Sequence, residues 1–160
     1  MASELRQSRC NKQNKMAQKE GFCVYSGGII GMGETWEDRI DMAISLAELG
    51  IESIPINALM PIPGTPLEHQ PRIAGEDVMR TIAIFRFINP TANIRLAAGR
   101  KLLPQNGATA FLSGASASIT GNMLTTSGTT IKEDMEMIKD LGLTNQDEDS
   151  RTACGAGSHC

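Results

Sequence analysis

A chain of 160 residues with 41% apolar residues, 21% charged residues and a net charge of −3 has the size and composition of one soluble globular domain. The slightly acidic balance and the lack of any basic cluster argue against a nucleic-acid partner, and no apolar run approaches the ~18–20 residues of a membrane span. The four cysteines, at 10, 23, 154 and 160, match neither a disulfide framework nor a paired zinc motif. With a polar N-terminus unlike a secretory signal, they point to a reducing, cytoplasmic setting.

In chain order, residues 3–20 read as a polar helical lead-in closed by Gly21. Phe22–Ile30 reads as a near-continuous apolar strand buried on both faces. It runs into the glycine-rich turn Gly31-Met32-Gly33-Glu34, and Thr35 with Asp38 then resembles a capping box that opens a helix. In that helix Ile40, Ala43, Ile44 and Ala47 form one apolar stripe, and Gly50 ends it. Ile51–Leu59 is a second strand, in which Pro55 suggests an irregular or edge-like segment.

A Pro-rich loop covers 60–75. A helix over Glu76–Ile88 follows, with Val78, Ile82 and Phe85 inward. Asn93–Ala98 is the third strand, and Leu103–Leu112 a short helix weakened by Pro104 and Gly107. Ala117–Thr120 is a brief fourth strand, and Thr130–Leu141 a last helix carrying Ile131, Met135 and Ile138. From residue 145 the chain is acidic and then small and polar, a composition expected to be disordered.

Four strand–helix units in a row predict an α/β fold with a parallel sheet and right-handed crossovers. Eight such units close a (β/α)₈ barrel of roughly 250 residues, and four cannot. The expected product is an open sheet with two unpaired edges and a helix-free face. The glycines of the 27–34 segment would let backbone amides approach a bound molecule, although a plain strand–helix turn also needs glycine.

Gly27-x-Ile29-x-Gly31-x-x-Glu34 resembles the Gly-x-Ile-x-Gly-x-x-Glu motif on the fifth strand of radical S-adenosylmethionine (SAM) enzymes. Five blocks together resemble the biotin synthase family, in its order and near its spacing. They are SGGIIGMGET (26–35), SIPIN (53–57), PGTPLE (63–68), IRLAAGR (94–100) and GNMLTT (121–126), and the likeness runs over about residues 15–143. The resemblance implies the C-terminal half of a TIM-type (β/α)₈ barrel, strands five to eight. The chain then divides into a lead-in (1–21), four β/α units (22–143) and a tail (144–160).

By that resemblance Gly27, Gly28, Ile29, Gly31 and Glu34 face S-adenosyl-L-methionine. Asn57, with Ser53 as a weaker candidate, lies near the substrate dethiobiotin. Arg95 is implied as a ligand of an auxiliary [2Fe–2S] cluster, with Arg100 as a supporting charge. Read without the family, a strand arginine is more often structural or ion-paired. Tyr25 stands where the family commonly has a cysteine ligand of that cluster. The nearest thiol, Cys23, is about 6–7 Å away along the strand; it reads either as a shifted ligand to some auxiliary iron–sulfur cluster or as a small buried hydrophobe. The C-x₃-C-x₂-C loop that holds the family's [4Fe–4S] cluster has no counterpart, so this chain alone is expected not to generate the radical.

Cys154, His159 and Cys160 are soft donors on a glycine-rich tail, short of a closed metal site. His69 is expected to be exposed. Two function classes stay open. One is a sulfur-inserting enzyme half, complemented by an N-terminal half. The other is a non-catalytic half-barrel homodimer that binds a small anion or nucleotide, beside the simpler possibility of an inactive truncated product.

Overall fold

The computed structural model describes residues 2–121 and 128–144. Helix α1 (Ala2–Lys19) leads, followed by β1 (Gly28–Ile30), α2 (Trp36–Glu48), β2 (Ser53–Ala58) and α3 (Gly75–Ile88). Then come β3 (Asn93–Leu96), two 3₁₀ turns (Arg100–Leu102 and Pro104–Gly107), α4 (Ala108–Leu112), β4 (Ala117–Ser118) and α5 (Ile131–Asp140). The strands lie in the order β1-β2-β3-β4 and every pairing is parallel. The α/β alternation read from the sequence is therefore present, and the sheet is consistent with half of a (β/α) barrel.

Strand alternation sorts the side chains into two faces. Ile30, Ile54, Ile56, Ile94 and Leu96 point toward the helices, none more than 1% exposed, and pack with Ala43 and Leu46 of α2 and Val78, Ile82 and Phe85 of α3. The opposite face carries Tyr25, Ile29, Ser53, Asn57 and Arg95 and, among the described residues, has no helix over it. Tyr25 is 62% and Ile29 51% exposed there.

Several local expectations need correction. The strand predicted over Phe22–Ile30 is regular only from Gly28; before it a lone bridge joins Tyr25 to Ser53. Phe22 is 68% exposed, so this segment is not buried on both faces. Pro55 supplies the reason, and its strand is central rather than edge-like. Odd-numbered residues of β2 turn their backbone groups to β1, since Ser53 accepts from the Ser26 N–H and the Leu59 N–H donates to Ile30. Even-numbered ones turn to β3, as in Ile56 accepting from Ala97. Pro55 thus lacks its donor on the β1 side, and the ladder is interrupted there.

The inward stripe of α2 is Arg39, Ala43 and Leu46, with Met42 packed beside it, while Ile44 is 42% exposed. The buried face is rotated from the stripe Ile40, Ala43, Ile44 and Ala47 because the Arg39 guanidinium lies inward, on Glu34 and Thr81. The helix expected over Leu103–Leu112 is broken into a 3₁₀ turn and a short helix, with Gln105 and Asn106 at φ 50° and 53°. In α5 the apolar residues Ile131 and Met135 are exposed, and the buried residue is Asp134. The tail from 145, with Cys154, His159 and Cys160, lies outside the described residues, as does 122–126 of the GNMLTT block.

Two arginines fasten the loops around this sheet. Arg86, at the end of α3, donates to the carbonyls of Asn89, Pro90, Ala92 and Gly114 and to Ser116 Oγ, at 2.7–3.2 Å. Burial pulls its guanidinium below the ordinary arginine value. Arg100 makes a two-pronged pair with Asp134 at 2.6 and 2.9 Å, accepted also by Ser118, Thr129 and the Asn106 carbonyl. Both partners of that pair are buried, and it ties α5 to the end of β3.

Arg86→Met is expected to lower stability in urea by about 1–3 kcal/mol, because four carbonyls, three of them in part-buried bonds, lose a charged donor together. Burial pushes the Asp134 carboxyl up, but hydrogen bonds from Arg100, Thr120 and Thr129 prevail and hold it below the ordinary value. A depressed carboxyl stabilises the fold above the unfolded pKa, about 3.9, and that contribution is lost as pH falls through the lower folded value. Asp134→Asn should therefore cost about 3 kcal/mol at neutral pH and abolish this acid step, as followed by hydrogen exchange in α5.

Candidate functional site

At the C-terminal end of β1 the chain must turn from strand to helix within a few residues. Gly31 and Gly33 make the turn with φ of 90° and 101°, a region that residues with a Cβ seldom adopt. Glu34 folds back over it: its two carboxylate oxygens accept from the N–H groups of Gly31 and Met32, each at 2.7 Å. The expectation that these amides face a bound molecule is thus modified, since the chain's own carboxylate takes them. Burial pushes the Glu34 carboxyl up, yet the backbone donors and Arg39 outweigh it and hold the group below the usual carboxylate value. Thr35 and Asp38 then cap α2 reciprocally, at 2.8 and 3.1 Å, so aspartate serves in the box as expected.

Gly27 and Gly28 are required for space. A Cβ on Gly27 would land on the Pro55 carbonyl, and one on Gly28 would lie 2.5 Å from the Met42 sulfur. Ile29 between them stays open on the helix-free face.

On that face Ser53 is buried, and its hydroxyl accepts from Arg95 Nε at 2.5 Å. The Arg95 guanidinium carbon sits 5.4 Å from the centre of the Tyr25 ring, within cation–π range. Tyr25, Ser53 and Arg95 therefore form one cluster across three strands. Asn57 lies one row further along: its amide donates to the Gly28 carbonyl at 3.3 Å and accepts from the Ala98 N–H at 3.2 Å. It stitches β1 and β3 across β2 while remaining partly exposed. Arg100 does not join Arg95, because its guanidinium is committed to Asp134. His69 is exposed, with its ring 3.3 Å from Glu68.

A pocket of about 160 Å³ opens beyond the C-terminal end of β3, among Met60, Ala97–Lys101, Asn106, Ile119 and the approach to α5. Cys10 and Cys23 are free and exposed, which corrects the picture of Cys23 as a buried hydrophobe. Among the described residues no group of three or more His, Cys, Asp or Glu could hold a metal ion.

Sequence reasoning missed Arg39, the partner that holds Glu34. Its only signal was a charged residue at the position where the inward stripe of α2 begins.

The family model for the Biotin and Thiamin Synthesis associated domain matches residues 55–144. The chain is 62% identical over 128 residues to the biotin synthase of Alkaliphilus metalliredigens, covering 80% of this chain and 40% of that protein. It is 62% identical over 131 residues to that of Clostridium beijerinckii, covering 82% and 42%. With the biotin synthase of Brachyspira hyodysenteriae identity is 59% over 128 residues, covering 80% and 38%. The chain thus spans about two fifths of the length of these relatives and matches their C-terminal part.

The two strand glycines should respond unequally to a methyl group. Gly27→Ala meets backbone and is expected to cost about 2–3 kcal/mol, whereas Gly28→Ala meets a flexible methionine and should cost under about 1.5 kcal/mol. Urea midpoints at constant slope measure both.

Proposed function

The chain belongs to the family of Biotin and Thiamin Synthesis associated domains, and on that footing we propose that it is the C-terminal half of a biotin-synthase-like radical SAM barrel. Its helix-free face would form one wall of the chamber in which sulfur is inserted into dethiobiotin to give biotin. The observation that carries this is the row of Ser53, Asn57 and Arg95 on an open parallel face, beside exposed Ile29.

In this reading SAM lies against the 27–34 segment, where two glycines leave no side chain between the strand and its neighbours and Ile29 offers an apolar surface. SAM held there would supply, on one-electron cleavage of its sulfonium C–S bond with release of methionine, the 5′-deoxyadenosyl radical that abstracts hydrogen, the electron coming from a cluster outside the described residues. Asn57 keeps both an acceptor and a donor on the chamber side of β2 and would orient the ureido ring.

The iron–sulfur groups do not fit the donor atoms of the described residues. The described residues hold no thiolate cluster for [4Fe–4S]. For an auxiliary cluster they offer at most Cys23 and Arg95, and Arg95 Nε is already donated to Ser53. The thiolates of the [4Fe–4S] cluster, and those of an auxiliary cluster beyond Cys23, would come from outside the described residues.

The helix layer favours a complementary half over a second copy. Asn14 of α1 donates to Ser26 Oγ, and Gln18 to the Leu49 carbonyl at the end of α2, so α1 lies in the helix layer on the flank of β1. At the other edge α5 follows β4, with Ile131 and Met135 exposed. A closed barrel has one helix over each strand–strand seam. Two copies would bring two helices to each new seam, whereas a half with four strands and three intervening helices would leave one per seam.

The test is co-expression with the matching N-terminal part of a biotin synthase, in a bacterium that lacks the enzyme and is grown without biotin. Growth is expected with both pieces and with neither alone. Asn57→Ala and Arg95→Ala should abolish growth while the two pieces still co-purify. Failure of the pieces to associate, or growth that survives both substitutions, would overturn the proposal.

A further inference from the structure

Arg39 is 8% exposed on a helix whose first turn is acidic. Its Nε and Nη2 both reach Glu34 Oε1, at 2.8 and 2.7 Å. Nη1 donates to Thr81 Oγ1 of α3 at 3.2 Å, and that hydroxyl donates onward to the Asp77 carbonyl at 2.7 Å. The guanidinium carbon lies 4.5 Å from the centre of the Trp36 ring. Arg39 is therefore held by a carboxylate, a hydroxyl and an aromatic face at once, and it has little freedom to follow Glu34 elsewhere.

What it holds is the turn's own anion. Bare amides at a glycine-rich strand–helix junction form a concavity suited to phosphate. Here the Gly31 and Met32 amides are closed by the Glu34 carboxylate, and a second anion would meet both an occupied donor pair and a like charge.

We propose that Arg39 is a positioning residue and, through Glu34, a specificity determinant: it keeps the carboxylate on the Gly31 and Met32 amides, so the turn takes a phosphate-free ligand, neutral or cationic. The ligand preference rests on the reading of this turn as part of a ligand chamber. The locking of Glu34 does not.

The experiment uses the full chain labelled with ¹⁵N and ¹³C. It follows the Gly31 and Met32 amides and the Glu34 carboxyl, with emission of Trp36, the only tryptophan in the chain, as an independent probe. Arg39→Met should return Glu34 to the ordinary carboxylate range and speed exchange of both amides about tenfold or more, with core amides such as Ile54 unchanged. Arg39→Lys should restore part of the protection. Inorganic phosphate should leave the wild-type amides unmoved and should shift them saturably in Glu34→Ala, which frees them while keeping Arg39.

Unchanged exchange and an unchanged Glu34 titration in Arg39→Met would overturn the positioning role. A saturable phosphate shift in the wild type, or none in Glu34→Ala, would overturn the specificity role. Should Arg39→Met not fold, Arg39→Lys and Glu34→Ala carry the same comparison. None of these readouts depends on a complementary half, so the two proposals fail separately.

Discussion

All-parallel sheets occur almost only with both faces covered, and the described helices of this chain cover one. The helices pack on the side lined by Ile30, Ile54, Ile56, Ile94 and Leu96, and that core is closed to solvent. The other side keeps Tyr25 and Ile29 open and gathers Ser53, Asn57 and Arg95, while Glu34 sits in the turn beyond β1. The same asymmetry explains the flanks. α1 and α5 both stand beside edge strands, and α5 owes its place chiefly to one buried ion pair rather than to apolar packing.

Arginines do most of the joining in a chain with few aromatics. Arg86 gathers carbonyls from two loops, Arg100 binds Asp134 of α5, and Arg39 ties the first strand–helix turn to α3 through Glu34 and Thr81. In each case a planar fork satisfies several buried acceptors that a lysine could reach only one at a time. Arg95 differs: it leans on Ser53 and Tyr25 and holds no loop or helix in place. It is the arginine that faces the open side, and the contrast with the other three is what singles it out.

Much of the fold was legible because its signals are local. The inward positions Val78, Ile82 and Phe85 follow the helical period and are buried. The Thr35 box forms with aspartate as its acid, since the aspartate carboxylate still reaches the Thr35 amide. The errors share one cause, which is that burial depends on neighbours distant in the chain. Pro55 reads as irregular or edge-like; the ladder to β1 is interrupted there, but its strand is central. Ile131 and Met135 are apolar at helical spacing, yet both are exposed and Asp134 is the buried residue of α5.

The sequence by itself determined the order of elements, the parallel alternation, the glycine-rich turn and the likeness to biotin synthases, because these rest on period, on turn chemistry and on residue identity along the chain. Tertiary structure alone decided that Glu34 is turned inward on its own turn, that Arg39 holds it there, that Arg100 serves Asp134 rather than Arg95, and that Ser53 and Tyr25 meet Arg95 across three strands. The physical reason is reach. A carboxylate or a guanidinium takes whichever partners the packing brings within hydrogen-bond distance, and those partners come from elements that only the folded sheet places side by side.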